Sequence, residues 1–306
     1  MPTPSSGLHH VTAISGPAQR NLDFYAGRLR QHLVKKTVNF DDPGTYHLYY
    51  GDRAGAPGSI LTFFPFEGAR AGRAGAGMAS AVAYRLPPDA LAQLRDNLAQ
   101  HGTRIAAAPE RFGASVHALH DPDGLTIELV TQDDAAGPAP DAFHSVTLSL
   151  TDPAPTARLL IDVLGYQEVG EQTEPGGRRL RLAAPGNAPG RIIDLWRDDR
   201  PGRAVPGAGT IHHVAFRARD DDHQGALRAA LMDAGMQVTD PIDRQYFNAI
   251  YFREPGGVLF EIATDPPGFA TDEAPEALGQ ALKLPPRYES HRAAIEAHLP
   301  ALQVPA

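Results

Sequence analysis

Two copies of a His-His-Val triplet, residues 9–11 and 212–214, are the side chains in this sequence best suited to metal chemistry. A lone histidine on a strand is usually an ordinary core or surface residue, but two copies in equivalent contexts favour a metal site. Glu261 follows the second copy within an apolar stretch. Two imidazoles and one carboxylate on one face of an octahedron leave the remaining positions open, and this ligand set is typical of non-haem Fe(II) oxygenases.

The composition of the 306-residue chain excludes several other kinds of site. There are no cysteines, which rules out disulfides, thiolate zinc sites, iron–sulfur clusters and cysteine nucleophiles. The net charge of −8 argues against a nucleic-acid partner, because phosphate binding needs a basic surface. No apolar run approaches the roughly 20 residues that span a membrane, and no signal peptide is evident. We therefore expect a cytoplasmic protein without nucleic-acid or membrane partners, with the oligomeric state open and a homo-oligomer included.

Internal repeats place Glu261 near the end of one of four similar units. The segments HDPDGLTIELV (120–130) and REPGGVLFEIA (253–263) share an acid-Pro-x-Gly turn and a strand with a glutamate four residues after the glycine. The turn predicts a hairpin, because proline fixes φ and glycine allows the tight reversal. Weaker copies occur at PGSILTFF (57–64) and PGRIIDLW (189–196).

Each unit opens with a strand that is followed by a helical pattern. The strands are LHHVTAI (8–14), MASAVAY (78–84), FHSVTLS (143–149) and IHHVAFR (211–217), and the helical patterns cover 18–29, 89–102, 155–165 and 224–235. The sequence therefore predicts an α+β fold of four βαβββ modules, arranged as two double-module domains with curved mixed sheets around cavities. A polar segment rich in Ala, Pro and Gly marks the expected boundary, and the predicted units are domains at 1–135 and 141–265 and a C-terminal arm with a short helix at 266–306.

Alignment of the four modules gives three columns of equivalent residues. The first reads His9, Ala79, His144 and His212, the second His10, Ser80, Ser145 and His213, and the acid column Thr62, Glu128, Asp194 and Glu261, with its first member assigned to within one residue. If module one pairs with module four, and two with three, one site carries imidazoles and the other has none in its second column. Neighbouring residues on a strand point to opposite faces, so one histidine of each pair is expected at the metal. The second column favours His10 and His213, although the apolar alternation does not decide the face.

Six motifs along the chain resemble those of ring-cleaving dioxygenases of the hydroquinone 1,2-dioxygenase type, within the vicinal oxygen chelate (glyoxalase) superfamily. The motifs are GLHHVT (7–12), YHLYYGD (46–52), PGSILTFFPF (57–66), GTIHHVAF (209–216), IDRQYF (242–247) and YFREPGGVLFEIAT (251–264). The resemblance implies ring cleavage of a small aromatic para-diphenol, with O2 as co-substrate and Fe(II) as the metal, and Mn(II) accepts the same ligand set. It implies the metal ligands His10, His213 and Glu261, and a surrounding catalytic set of His9, Thr12, His212, Arg244 and Tyr251.

Two features bear on which branch of the dioxygenases this chain resembles. Catechol extradiol dioxygenases also carry a tyrosine ten residues before the ligand glutamate, as Tyr251 stands before Glu261. Those enzymes take their first histidine from the third module, where this chain has Ser145. The serine therefore favours the hydroquinone branch over catechol cleavage.

Three other functions fit parts of the pattern. A glyoxalase-like isomerase or lyase with Ni(II) or Zn(II) tends to use four protein ligands, but the closing strand of module one offers Thr62 or Phe63 and no acid. A protein that sequesters a small molecule in the same cavity needs no metal triad. A structural zinc site is the least favoured of the three, because it leaves no open position.

Overall fold

The computed structural model describes residues 3–135, 137–199 and 202–305, and it contains the four predicted βαβββ modules. Module one comprises β1 (Leu8–Ser15), α1 (Ala18–Leu22), β2 (His32–Asn39), β3 (Asp42–Gly51) and β4 (Ile60–Pro65). Module two comprises β5 (Met78–Leu86), α2 (Pro88–Gln100), β6 (Ala106–Ala107), β7 (Val116–His120) and β8 (Thr126–Thr131). Module three comprises β9 (Ala142–Leu150), α3 (Pro153–Asp162), β10 (Gln167–Glu174), β11 (Gly177–Ala183) and β12 (Ile192–Asp198). Module four comprises β13 (Thr210–Ala218), α4 (Asp221–Asp233), β14 (Ile242–Asp243), β15 (Phe247–Arg253) and β16 (Leu259–Pro267).

The modules pair into two eight-stranded mixed sheets. Modules one and four form the first sheet, in the order β14-β15-β16-β13-β1-β4-β3-β2. Modules two and three form the second, in the order β10-β11-β12-β9-β5-β8-β7-β6. The opening strands meet antiparallel at the centre of each sheet, β1 against β13 and β5 against β9. The two histidine pairs, which are far apart in the sequence, therefore lie on adjacent strands.

A β-bulge interrupts each opening strand. In the first sheet Leu8 pairs with Phe216 and His10 with Ala215, so His9 is an extra residue, and His212 is the extra residue on the partner strand. The second sheet has the same bulges at Ser80 and His144. The column alignment was therefore one residue out in module two, where Ser80 corresponds to His9 and Ala81 to His10. The opening strands are buried on both faces, so they have no apolar alternation in which a one-residue bulge would be visible.

The closing strands keep the predicted register. Each runs parallel to the opening strand of its own module and pairs Thr12 with Thr62, Ala83 with Glu128, Thr147 with Asp194 and Ala215 with Glu261. Thr62 is thus the member of the acid column in module one. The predicted helix over 18–29 is divided, because α1 continues as a π-helical turn over Asp23–Arg28. The wider turn buries the consecutive Phe24 and Tyr25.

The C-terminal residues return to the first sheet. A short helix, α5 (Arg292–His298), follows a run of 3-10 turns, and the Tyr46 hydroxyl donates to the Pro300 carbonyl at 3.0 Å. Lys35 on β2 is fully buried and pairs with Asp272 and Glu273. Among the residues that the structure describes, no helix has the length and apolar character needed to cross a membrane.

Candidate metal centre

Three potential ligand atoms converge at the centre of the first sheet, on the adjacent strands β1, β13 and β16. The Nε2 atoms of His10 and His213 are 3.2 Å apart. Oε2 of Glu261 lies 2.9 Å from Nε2 of His213 and 3.5 Å from Nε2 of His10. All three side chains are buried. Within the described part of the chain, they form the one group of His, Cys, Asp or Glu close enough to hold a metal ion.

The other histidine of each pair contacts the far side of its neighbour's ring. Nδ1 of His9 lies 2.9 Å from Nδ1 of His10, and Nδ1 of His212 lies 2.8 Å from Nδ1 of His213. Burial, followed by the adjacent imidazole, lowers the pKa of His9 well below 6.5 and that of His212 to about 4. The neutral outer rings can accept a hydrogen bond from Nδ1–H of the inner rings. That tautomer leaves both Nε2 lone pairs free for a metal.

Glu261 provides the test of whether a cation fits this centre. Its side chain is 0% exposed, and while both Nε2 atoms present lone pairs, neither carboxylate oxygen has a hydrogen-bond donor. Burial alone would raise the pKa of Glu261, but the adjacent imidazoles outweigh it and hold the pKa well below 4.5. An ionised, buried carboxylate without donors is costly unless a cation compensates it. Two free imidazole nitrogens and this carboxylate therefore fit a divalent transition metal.

The centre opens onto a cavity of about 430 Å³. Its polar lining includes the three converging side chains, His212, Arg244 and Tyr251. Much of the remaining wall is apolar and is formed by Ile14, Phe40, Phe64, Phe66, Phe247 and Leu259. A small apolar molecule with one or two polar groups fits such a lining.

Tyr251 and Arg244 lie beside the converging ligand atoms. Tyr251 on β15 pairs directly with Glu261 on β16, so the ten-residue spacing in the sequence is a cross-strand contact in the hairpin. Burial, and then the charge of Glu261, raise the pKa of Tyr251 well above 10, so its hydroxyl stays protonated. Nε of Arg244 donates to that hydroxyl at 3.3 Å.

Two residues of the predicted set lie behind the cavity wall. His9 faces a second cavity of about 230 Å³ on the other side. Thr12 is fully buried, and its hydroxyl is 2.8 Å from that of Thr62. The structure therefore brings six of the eight predicted residues to the main cavity and places His9 and Thr12 one layer behind it.

The sequence interpretation did not single out His47 and Tyr49, which both line the cavity. Nδ1 of His47 lies 2.8 Å from the Tyr49 hydroxyl, and Nε2 lies 2.8 Å from the Thr62 hydroxyl. A hydrogen-bonded chain thus runs from Tyr49 through His47 and Thr62 to Thr12. The available signal was the alternation in YHLYYGD, which places residues 47 and 49 on one face of a strand.

The equivalent position in the second sheet holds arginines. Ala81 and Ser145 stand where the first sheet has His10 and His213. Asp194, the equivalent of Glu261, accepts from Nε and Nη2 of Arg181 at 2.7 and 2.8 Å. Glu128 is paired in the same way with Arg111. The carboxylates that could face a metal here are already neutralised by guanidinium groups.

Known proteins match both the whole chain and its fold. A family model described as the Glyoxalase/Bleomycin resistance protein/Dioxygenase superfamily matches residues 7–129 and 142–262. The chain is 45% identical over 301 residues to MhqO of Bacillus subtilis (strain 168), provisionally named a ring-cleaving dioxygenase, covering 95% of this chain and 94% of the relative. It is 34% identical over 309 residues to the chlorohydroquinone/hydroquinone 1,2-dioxygenase of Sphingobium indicum, with 94% of each covered.

A crystal structure agrees with these sequence matches. It comes from Bacillus subtilis subsp. subtilis str. 168 and is provisionally described as a dioxygenase. It matches with a TM-score of 0.92 and 43% identity, and the match covers 99% of both chains. The chain therefore belongs to the glyoxalase/bleomycin resistance protein/dioxygenase superfamily, among relatives named as ring-cleaving dioxygenases.

Proposed function

We propose that this protein is a metal-dependent dioxygenase that cleaves the ring of a hydroquinone-type para-diphenol with O2. The observation that carries the proposal is the group of His10, His213 and Glu261, which opens onto a largely apolar cavity of about 430 Å³. These three residues would hold Fe(II), and Mn(II) accepts the same ligand set. The similarity to the chlorohydroquinone/hydroquinone 1,2-dioxygenase of Sphingobium indicum supports the choice of a hydroquinone as substrate.

The metal and the protein side chains would have separate tasks. When bound, Fe(II) supplies an acidic site for a phenol oxygen and a route for electrons between the ring and O2. The apolar walls would hold the ring and exclude water. Tyr251, whose hydroxyl accepts from Arg244, would direct its own proton towards negative charge that develops on the substrate. Arg244 would stabilise the same charge.

The remaining residues of the predicted set would act at the edge of the site or behind it. His212 lines the cavity with a neutral imidazole whose Nδ1 accepts from His213, so its Nε2–H would donate to a substrate oxygen. His9 would orient His10 through their Nδ1 contact. Thr12 would act through Thr62, which holds His47 against Tyr49. We therefore assign Thr12 a positioning role rather than a contact with substrate.

The position of Thr62 argues against the glyoxalase-like alternative. Thr62 corresponds in module one to Glu261 in module four and would be the fourth ligand of a symmetric site. It has no carboxylate, and its hydroxyl already contacts Thr12 and His47. A three-ligand centre leaves positions for both substrate and O2.

The proposal is tested by anaerobic reconstitution with Fe(II), followed by O2 uptake with methylhydroquinone and, separately, with catechol. We expect uptake with methylhydroquinone, one bound metal per chain, and loss of both in His213→Ala. His144→Ala is the matched control, because it removes a buried histidine from the sheet that has no such centre. It should retain metal and activity.

Three other outcomes would each favour a different function or substrate. Uptake with catechol alone would keep a dioxygenase and reject the hydroquinone substrate. Stoichiometric metal without uptake would favour the isomerase or lyase. A protein that binds no metal would fit a small-molecule binding function.

A further inference from the structure

An ion pair at the edge of the cavity joins residues from opposite edges of the first sheet. Asp41 lies in the turn between β2 and β3, and Arg244 lies in the turn between β14 and β15. β2 and β14 are the two edge strands of this sheet, so their approach depends on its curvature. Nη1 of Arg244 lies 3.1 and 3.0 Å from the two carboxylate oxygens of Asp41. Both residues line the cavity.

Local contacts hold each partner in place. The backbone amide of Asp41 donates to Oδ1 of Asn39 at 3.0 Å. Nε of Arg244 donates to the Tyr251 hydroxyl, and its backbone amide donates to the Phe247 carbonyl at 3.0 Å. Burial alone would lower the pKa of Arg244, but Tyr251 and Asp41 outweigh it and raise that pKa. The guanidinium is charged, and its Nη1 is already paired with Asp41.

The charges of the lining would not favour a second anionic group on the substrate. Arg244 is the one lysine or arginine among the lining residues, whereas Asp41 and Glu261 are both acidic. A divalent ion would balance Glu261 and one phenolate. A carboxylate on the ring would then meet Asp41 and would have to compete with it for Arg244.

We propose that Asp41 is a specificity-determining residue, which pairs with Arg244 so that the site selects uncharged diphenols over diphenols that carry a carboxylate. The inference rests on the proposed function in one respect, namely that the cavity binds a diphenol ring. Removal of the Asp41 charge would leave Arg244 free to bind an anionic substituent at the edge of the cavity.

The test compares two para-diphenols that differ in charge, methylhydroquinone and 2,5-dihydroxybenzoate. Their dissociation constants are measured by calorimetry on the metal-loaded protein under nitrogen, and kcat/KM is measured separately in air. We expect the wild type to bind methylhydroquinone more tightly. Asp41→Asn should reduce the ratio of the 2,5-dihydroxybenzoate dissociation constant to the methylhydroquinone dissociation constant about threefold to fivefold, because one exposed charge contact is exchanged for another. The reduction should diminish at high salt, since screening weakens interactions at an exposed edge of the cavity.

Two further variants separate the pair from net charge. Asp42→Asn removes the same charge at the next residue, which does not line the cavity, and it should leave the ratio at the wild-type value. Combining Asp41→Asn with Arg244→Gln should abolish the gain for 2,5-dihydroxybenzoate. Equal effects of the Asp41 and Asp42 changes would overturn the proposal, as would a gain that persists without Arg244.

The binding and turnover measurements distinguish failure of this inference from failure of the proposed function. Absence of O2 uptake, together with the expected shift in binding ratio, would reject the dioxygenase and support the role of Asp41. O2 uptake together with an unchanged ratio of dissociation constants in Asp41→Asn would support the dioxygenase and reject the role of Asp41. A wild type that binds both diphenols equally, or neither, would overturn the role of Asp41.

Discussion

The two histidines of each His-His pair have different positions relative to the converging ligand atoms. The inner rings, His10 and His213, present Nε2 to Glu261. The outer rings, His9 and His212, contact Nδ1 of the inner ones. Outer contacts of this kind orient metal ligands and select their tautomer. The outer residues should therefore affect metal affinity without binding the metal themselves.

Replacement of His212 by alanine is expected to weaken metal binding by about 10- to 100-fold, because His213 loses its Nδ1 partner. The affinity is measured by metal titration against a competing chelator. His212→Asn should recover part of the loss, since its amide oxygen can accept the same hydrogen bond. His144→Ala removes the equivalent bulge residue of the second sheet, and a similar loss of metal there would contradict the positioning role.

The buried His144 should make the folded protein less stable at acid pH, independently of the metal centre. Burial, and then the charge of Arg181, lower its folded-state pKa to about 4, against 6.5 in the unfolded chain. Between these values the unfolded chain binds the extra proton, so stability is full above pH 6.5 and declines as the pH falls towards 4. From pH 7.5 to 5 the loss of unfolding free energy should be about 2 kcal/mol.

The measurement is urea unfolding of the metal-free protein at the two pH values, for the wild type and for His144→Asn. The fall in unfolding free energy between pH 7.5 and pH 5 should be about 2 kcal/mol smaller in His144→Asn than in the wild type. Parallel curves for the two proteins would show that His144 titrates normally in the folded state.

The two sheets share strand order, bulges and register but bury different charges at equivalent positions. The first sheet has an uncompensated carboxylate at Glu261. In the second sheet, three arginines and three acids form a buried network, comprising Arg111, Arg179, Arg181, Glu128, Glu174 and Asp194. The first sheet is therefore arranged to accept a cation, whereas arginine side chains already neutralise the buried acids of the second sheet.

Substitution of the equivalent acids should have opposite consequences. Asp194→Asn should lower the free energy of unfolding by about 3 kcal/mol, because Arg181 would remain buried without its counter-charge, and should leave metal content unchanged. Glu261→Gln should remove the metal but leave the metal-free protein at least as stable as the wild type. Urea unfolding and metal analysis check both. Loss of metal in Asp194→Asn would contradict the assignment of metal binding to the first sheet alone.

The C-terminal segment links one edge of the first sheet to residues behind the cavity. Lys35 on β2 is fully buried against Asp272 and Glu273, and its Nζ lies 4.9 Å from the centroid of the Tyr246 ring. The Tyr246 hydroxyl donates to Asp272 at 3.0 Å. Tyr246 in turn precedes Phe247, which packs against His9 and His10. The segment thus stabilises the assembled sheet.

Lys35→Met is expected to lower the free energy of unfolding by about 3 kcal/mol, because Glu273 would remain buried without its partner. It should also make residues 268–300 more sensitive to limited proteolysis. Lys36→Met is the control, since Lys36 is partly exposed and donates only to the Gln280 carbonyl. Equal destabilisation by both changes would show that the buried charge cluster is not what anchors the segment.

Much of the architecture was predictable because its signals are local. Turn chemistry, strand alternation and helix periodicity identified the four βαβββ modules, and the repeat aligned Glu261 with Asp194 and Glu128. The residue types that could hold a metal followed from the same alignment and from the lack of cysteine. The resemblance to known motifs then singled out His10, His213, Arg244 and Tyr251, which the structure brings to one cavity.

Only the tertiary structure decided how these residues face one another. Strand alternation predicted that one histidine of each pair would reach the metal, and the structure places the other histidines, His9 and His212, at β-bulges. The bulges were not visible in the sequence because these strands are buried on both faces and have no apolar alternation to interrupt. His47 was not singled out because its partners lie on other strands. Asp41 and Arg244 meet only because the edges of an eight-stranded sheet curve towards each other, and curvature is a property of the assembled sheet rather than of any local segment.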